Sequence, residues 1–246
     1  MSLGRGGCLS QMTTFALVHG SGDGGWAWHL VQQALRSRGH DAVAPDLPTD
    51  RDDATWADCV DVVAEAVGAT TGAGGDVVVV GHSSGAFVAA LAAARLDAPQ
   101  VFVAGMVPRP GESAQDWFAA VGWDEAVAVG AHDDGGRTGN PDPMVVFFHD
   151  VAPGLAREAV AHERETSDAL GEVPWPGPGP AVPARYVVTT QDRFLPPALQ
   201  RQVARTRLGI RVPDEIAAGH CAHLSRPDEL AAVLTGAAGS PPRQRP

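Results

Sequence analysis

The chain contains no lysine: all 18 of its basic residues are arginine. That absence removes Schiff-base chemistry, internal attachment of pyridoxal phosphate and a Walker-type phosphate loop at once. Positive charge is also short against the acidic total, 18 − 29 = −11. Nucleic acid and an anionic membrane are therefore excluded as expected partners. Three cysteines, Cys8, Cys59 and Cys221, are too few and too scattered for a disulfide framework or a thiolate zinc site. No apolar run reaches the roughly 20 residues needed to span a bilayer. The first eleven residues hold one Arg and several glycines but no long apolar stretch, which makes a poor signal peptide. A cytoplasmic protein is the expectation, with no metal and no cofactor assigned.

What remains is 246 residues, 44% of them hydrophobic, enough for a sizeable core in one large domain or one domain with an insertion. Short apolar runs at residues 14–18, 41–44, 77–80 and 101–104 alternate with helical patterns at 26–38, 55–68 and 86–96. The run Val77-Val78-Val79-Val80 lacks alternation, as a strand buried on both faces of a parallel sheet must. From residue 108 to 183 the rhythm breaks into glycines, prolines and tryptophans, with helical pieces expected at 144–148 and 156–169. Strands near 185–190 and 211–216 and helices near 197–207 and 228–234 then resume it. The reading is an α/β fold: a mostly parallel central sheet of about six strands flanked by helices, with an inserted, mainly helical cap. Residues 12–107 and 184–238 form the core, 108–183 the cap, and 1–11 and 239–246 flexible tails.

Gly81-His82-Ser83-Ser84-Gly85 matches G-x-S-x-G between the buried valine run and an Ala-rich helix. A sharp strand-to-helix turn strains its central residue and presents that hydroxyl at the carboxyl edge of the sheet. The flanking glycines are needed because a Cβ would strike the neighbouring strand and helix. A serine hydroxyl is a weak nucleophile, so it needs a base held by an acid. Asp192 follows the strand near 185–190, and His220 sits in a glycine-led loop after the strand near 211–216. Both fall where open α/β sheets place their sites. The competing assignments are His223 for the base, Asp46 for the acid, and Asp192 as a helix cap only. After the first strand, the loop His19 to Trp26 offers the backbone N–H of Ser21. With the N–H of Ser84 it makes the pair of donors that a tetrahedral oxyanion requires. The same loop spells Gly20-x-Gly22-x-x-Gly25, a dinucleotide fingerprint, but without the basic or ribose-binding context that reading needs.

These motifs together resemble the α/β-hydrolase superfamily, and within it the small plant esterases and hydroxynitrile lyases with their bacterial esterase relatives. The likeness rests on His19 to Trp26, the Gly81 to Gly85 turn, Asp192-Arg193-Phe194-Leu195-Pro196, and Gly219-His220 through Pro227. It implies Ser83 as nucleophile, His220 as base, Asp192 as acid, and Ser21 and Ser84 as oxyanion-hole positions. Plant hydroxynitrile lyases carry Thr where this chain has Gly20, and Lys where it has Cys221. Without that cation, cyanohydrin cleavage is disfavoured and hydrolysis of a small-molecule ester is favoured. A carbon–carbon lyase on the same residues and a non-catalytic receptor are the alternatives. Trp117, Trp123, Phe147 and Phe148 are expected to line the apolar pocket, and Cys221 to pack. A homodimer is left open.

Overall fold

Strand-like runs separated by helical patterns, with no hairpin signals between them, leave only crossover connections, and these make parallel neighbours. In the computed structural model, which describes residues 12–71, 75–179 and 183–238, all six strands are parallel. They are β1 (Thr13–Val18), β2 (Asp41–Val43), β3 (Asp76–His82), β4 (Gln100–Val103), β5 (Ala184–Thr189) and β6 (Asp214–Ile216). Their order across the sheet is β2-β1-β3-β4-β5-β6. The chain moves outward from β1 to β2, then returns to β3 on the other side of β1. The switch point therefore lies between the carboxyl ends of β1 and β3, where such sheets bind ligands. The expected tails at 1–11 and 239–246, with Cys8, lie outside the described residues.

The helices are α1 (His29–Ser37), α2 (Trp56–Thr70), α3 (Ala86–Leu96), α4 (Ala114–Val121), α5 (Trp123–Asp134), α6 (Pro143–Val146), α7 (Pro153–Ala161), α8 (Ala169–Glu172), α9 (Pro197–Leu208), α10 (Ala222–Ser225) and α11 (Pro227–Ala238). Val79 faces one core with α2, α3 and α9, while Val78 and Val80 face the other with α1 and α11. The two-sided burial of β3 is thus real, and it explains why its sequence shows no polar alternation. Helix α3 is alanine-rich because it is buried nearly all round, with Phe87 stacked on Trp56 of α2 at 5.7 Å. Helix α2 starts at a capping box: Thr55 accepts from the Asp58 N–H, and Asp58 accepts from the Thr55 N–H. Such a cap contributes about 1 kcal/mol. No helix among the described residues is long and apolar enough to cross a membrane.

Between β4 and β5 the described chain forms five helices, α4 to α8, joined by loops and with no strand among them. Gly122, in the left-handed region at φ 75°, ends α4 and opens α5, so two helices hide in one alanine- and acid-rich stretch. The helix expected over 156–169 instead starts at Pro153 and stops at Ala161. Beyond it, Arg164 N–H donates to Gly22 O at 2.9 Å and Ser167 N–H to Thr49 O at 2.7 Å. Those bonds tie the segment to the loops after β1 and β2 and override its helical propensity. A buried ion pair anchors the start of the segment: Arg207 of α9 reaches both oxygens of Glu112, at 2.6 and 3.0 Å.

Candidate active site

Ser83 stands at the end of β3 with φ 50°, one of three non-glycine residues at positive φ among those described. The sharp turn leaves no room for a side chain on either flank. A Cβ at Gly81 would meet Ala89 Cβ at 2.6 Å and Ala86 Cα at 2.9 Å, both on α3. A Cβ at Gly85 would run into the backbone oxygens of His19 and Val18. The turn is thus wedged between its own helix and the end of β1, and Ser83 keeps 8% of its surface exposed. Ser83 lines a cavity of about 460 Å³ together with His220, Ser21 and Ser84.

Asp192 is buried just past β5, and every partner it has is a donor. Its Oδ1 accepts from the backbone N–H groups of Phe194 and Leu195 at 2.8 and 2.9 Å. Its Oδ2 accepts from Thr189 Oγ1, Gln200 Nε2 and His220 Nδ1 at 2.9, 2.9 and 2.8 Å. Nδ1 of His220 therefore carries the proton, and Nε2 is left as the basic atom. Asp192 caps a short turn and not a helix: α9 begins only at Pro197. Asp46, the competing acid, lies elsewhere, accepting from Gly25 N–H at 2.7 Å and facing Arg164 at 3.7 Å.

The loop carrying His220 is held from behind. Gly219 N–H donates to Asp150 Oδ2 at 2.8 Å, and His82 Nε2 donates to the His220 carbonyl at 3.0 Å. Phe194 and Phe147 rings flank the imidazole with centroids at 5.1 and 5.5 Å. His223 does not reach the cavity. It packs against Trp28 and His82, and burial with the neighbouring histidines pushes its ring down to about 3. A group so weakly basic cannot serve as the base near neutral pH. Burial pushes the Cys221 thiol well above its usual range, and nearby carboxylates add to this. Cys221 thus packs as a neutral thiol and offers no thiolate nucleophile.

The loop after β1 is pinned by His19, which donates from Nδ1 to Gly20 O at 2.9 Å and accepts the Leu47 N–H at Nε2, 3.0 Å away. Ser21 N–H, one of the two expected oxyanion donors, points to the Ser84 hydroxyl at 2.8 Å. The two positions are therefore adjacent across the turn, with the Ser84 Oγ seated on the Ser21 donor. Asp23, in the same loop, lines the cavity. Desolvation lifts its carboxyl from the usual 3.8 to about 7, against a lowering by His220 and with a further rise from Glu163.

Of the aromatic residues expected in the pocket, Phe147 and Phe148 line the cavity and Trp117 and Trp123 do not. Trp117 is buried in the core and donates to Val107 O at 3.0 Å. Trp123 donates to Phe194 O at 2.8 Å and packs beside Phe118. Both indole N–H groups are held by backbone carbonyls, Trp117 in the core and Trp123 behind the cavity-lining Phe194. The apolar walls come from Trp56, Val88, Met106, Phe118, Leu170 and Phe194 as well. Trp56 is expected only on a helix over 55–68, and Phe118 lies in the irregular stretch 108–183, where no local pattern singles it out. Nor does any local signal mark Asp150, about 70 residues from the loop it supports. Charged groups on the lining are Asp23, Glu163 and Asp168, with no arginine among them.

A family model described as "Alpha/beta hydrolase family" matches residues 15–233. Among curated proteins, the chain is 38% identical over 113 residues to esterase PIR7B of Oryza sativa subsp. japonica, covering 42% of each chain. It is 26% identical over 254 residues to norfluorocurarine synthase 2 of a Strychnos species, covering 92% of this chain and 95% of the other. The match to PIR7B thus spans less than half the length of that relative. Among solved structures, polyneuridine aldehyde esterase superposes with a TM-score of 0.74 at 23% identity, over 93% of this chain and 100% of that one. A pyrethroid hydrolase from Sphingobium faniae JZ-2 gives 0.72 at 22% identity, over 94% and 98%. At these identities the structural likeness speaks for the fold.

Proposed function

Because the chain belongs to the alpha/beta hydrolase family, we propose that it is a serine carboxylesterase acting on small to medium apolar esters through an acyl-enzyme. The observation that carries this reading is the buried Asp192–His220 pair at 2.8 Å, opening on the cavity that Ser83 also lines. The relatives named as esterases support it, as does the apolar wall. Ser83 Oγ attacks the ester carbonyl carbon while His220 Nε2 takes its proton, and the carbonyl π pair moves to oxygen. The oxyanion then collapses, the C–O bond to the alcohol breaks, and His220 returns the proton to the leaving alkoxide. Water attacks the acyl-enzyme by the same route, releasing the acid and restoring Ser83.

The oxyanion forms beside the N–H groups of Ser84 and Ser21. The substrate oxygen takes the place of the Ser84 hydroxyl on the Ser21 donor. Each such donor contributes about 3 kcal/mol to the transition state. Asp192 neither gives nor takes the proton: it holds the tautomer and offsets the charge of the imidazolium. Cys221, a neutral thiol beside the base, supplies no cation for a cyanide leaving group.

The test is a panel of p-nitrophenyl esters of increasing acyl length run beside a mandelonitrile cleavage assay. Turnover of the esters that is lost in Ser83→Ala, with negligible cyanide release, is the expected result. Cyanide release without ester turnover would replace the hydrolase reading with a lyase on the same residues.

A further inference from the structure

Beyond the bond that His82 makes to the His220 carbonyl, hydrolysis leaves a cluster of two buried histidines and the half-buried Asp23 without a task. One donor atom from each of Asp23, His82 and His223 lies within 4.8 Å of the other two. The two histidines are 2% and 1% exposed. His82 donates from Nε2 to the His220 carbonyl, which leaves Nδ1 as a lone pair. That Nδ1 and both ring nitrogens of His223 find no hydrogen-bond partner among the described residues. Buried ring nitrogens without partners are costly, and an apolar residue would fill the same space more cheaply. An unpartnered nitrogen on each of two buried histidines, with one ligand atom of each clustered beside a carboxylate, points to a ligand that the three residues share.

We propose that Asp23, His82 through Nδ1, and His223 form a binding site for a divalent transition-metal ion of the zinc class. Two imidazoles and one carboxylate suit Zn²⁺, Ni²⁺ or Cu²⁺ rather than Mg²⁺ or Ca²⁺, which prefer oxygen. His82 is already oriented as a ligating imidazole is, with its other N–H fixed on a backbone carbonyl. Asp23 and His82 both line the active-site cavity, which gives the ion a way in. Bonds of about 2.1 Å place tetrahedral ligands about 3.4 Å apart, so binding draws the three together. The loop backbone is tied at Gly22 to Arg164, so the move belongs to the half-buried Asp23 side chain. The His82 and His220 rings are only 4.7 Å apart. A dication there opposes the imidazolium that His220 must become, so the site inhibits hydrolysis. That consequence rests on the hydrolase reading; binding itself does not.

Metal-free full-length protein titrated with Zn²⁺ by calorimetry, and with Co²⁺ by visible absorption, tests the site. One ion per chain is expected, with d–d bands of nitrogen-ligated Co²⁺. Asp23→Asn and His223→Gln should each weaken binding at least about tenfold. Replacing the exposed His132 and His162 by alanine should leave it unchanged. Should His223→Gln fail to fold, Asp23→Asn, on a loop, still decides. No stoichiometric binding, or binding that survives Asp23→Asn, or binding lost with the exposed pair, would overturn the site. Zinc should also slow ester turnover in a chelator-reversible way, and bound zinc with unaltered turnover would overturn the inhibitory role. Absence of any ester turnover would sink the hydrolase reading while leaving the titration informative.

Discussion

Asp192→Asn preserves shape and changes only what two atoms can do. The carboxylate accepts five hydrogen bonds, two on Oδ1 from backbone N–H groups and three on Oδ2. An asparagine has one acceptor and one donor end, so either end can satisfy only part of this set. Backbone N–H groups cannot reverse, so the amide oxygen takes the Oδ1 place and the NH₂ faces Thr189, Gln200 and His220. Thr189 can rotate its hydroxyl, but His220 can accept from that NH₂ only by moving its proton from Nδ1 to Nε2. A protonated Nε2 cannot receive the Ser83 proton. The expected loss in acylation rate is about 10⁴, or ~5.5 kcal/mol of transition-state stabilisation. Stability should fall by only ~1–3 kcal/mol, the cost of a mismatched buried partner. Burst kinetics with p-nitrophenyl acetate, read beside a urea melt, separate the two effects. An acylation loss below tenfold in folded protein would show that another group orients His220, and the tautomer reasoning would be wrong.

Gly85→Ala pushes a methyl into the His19 carbonyl, and overpacking against backbone should cost about 1–3 kcal/mol and most of the ester turnover. A variant with native melting and full turnover would contradict the wedged turn. Glu112→Gln leaves the nearly buried Arg207 guanidinium without its carboxylate and should destabilise by about 3–5 kcal/mol, as read from the urea midpoint. A loss under 1 kcal/mol would mean that the pair does not anchor α4–α8. His19, buried and neutral, has a pKa lowered chiefly by burial. The unfolded chain therefore takes up the proton first, so the stability His19 contributes is present above about pH 6.5 and is lost as pH falls below it. The decline in urea midpoint from pH 7.5 to 5.5 should be smaller in His19→Gln, and an identical decline would remove His19 from the account.

The parts of this molecule legible in its sequence are those fixed by local sterics and by two-sided burial. Val77 to Val80 reads as a central parallel strand because no polar residue interrupts it, and the Gly81 to Gly85 turn reads from the two glycines that its packing demands. Asp192 and His220 were legible because each follows a strand at the edge where the sheet presents its loops. What stayed hidden depends on contacts distant in sequence. Helix α7 ends at Ala161 because Arg164 and Ser167 bond to the loops after β1 and β2, a competition no local pattern displays. Trp117 and Trp123 read as pocket residues by type, yet Trp117 is buried on Val107 in the core and Trp123 packs on Phe118 and the Phe194 carbonyl, one layer behind the wall. Asp150 and the Asp23–His82–His223 cluster join segments far apart along the chain, and only folding reveals them.

The proposed hydrolysis requires that the strained turn present Ser83 as a nucleophile served by His220. Reaction of the intact protein with a fluorophosphonate probe, followed by peptide mass mapping, measures this most directly. One adduct per chain is expected, on Ser83, abolished by Ser83→Ala and slowed by orders of magnitude in His220→Ala. An adduct on Ser84 or Ser21, or labelling of Ser83 that does not depend on His220, would contradict it.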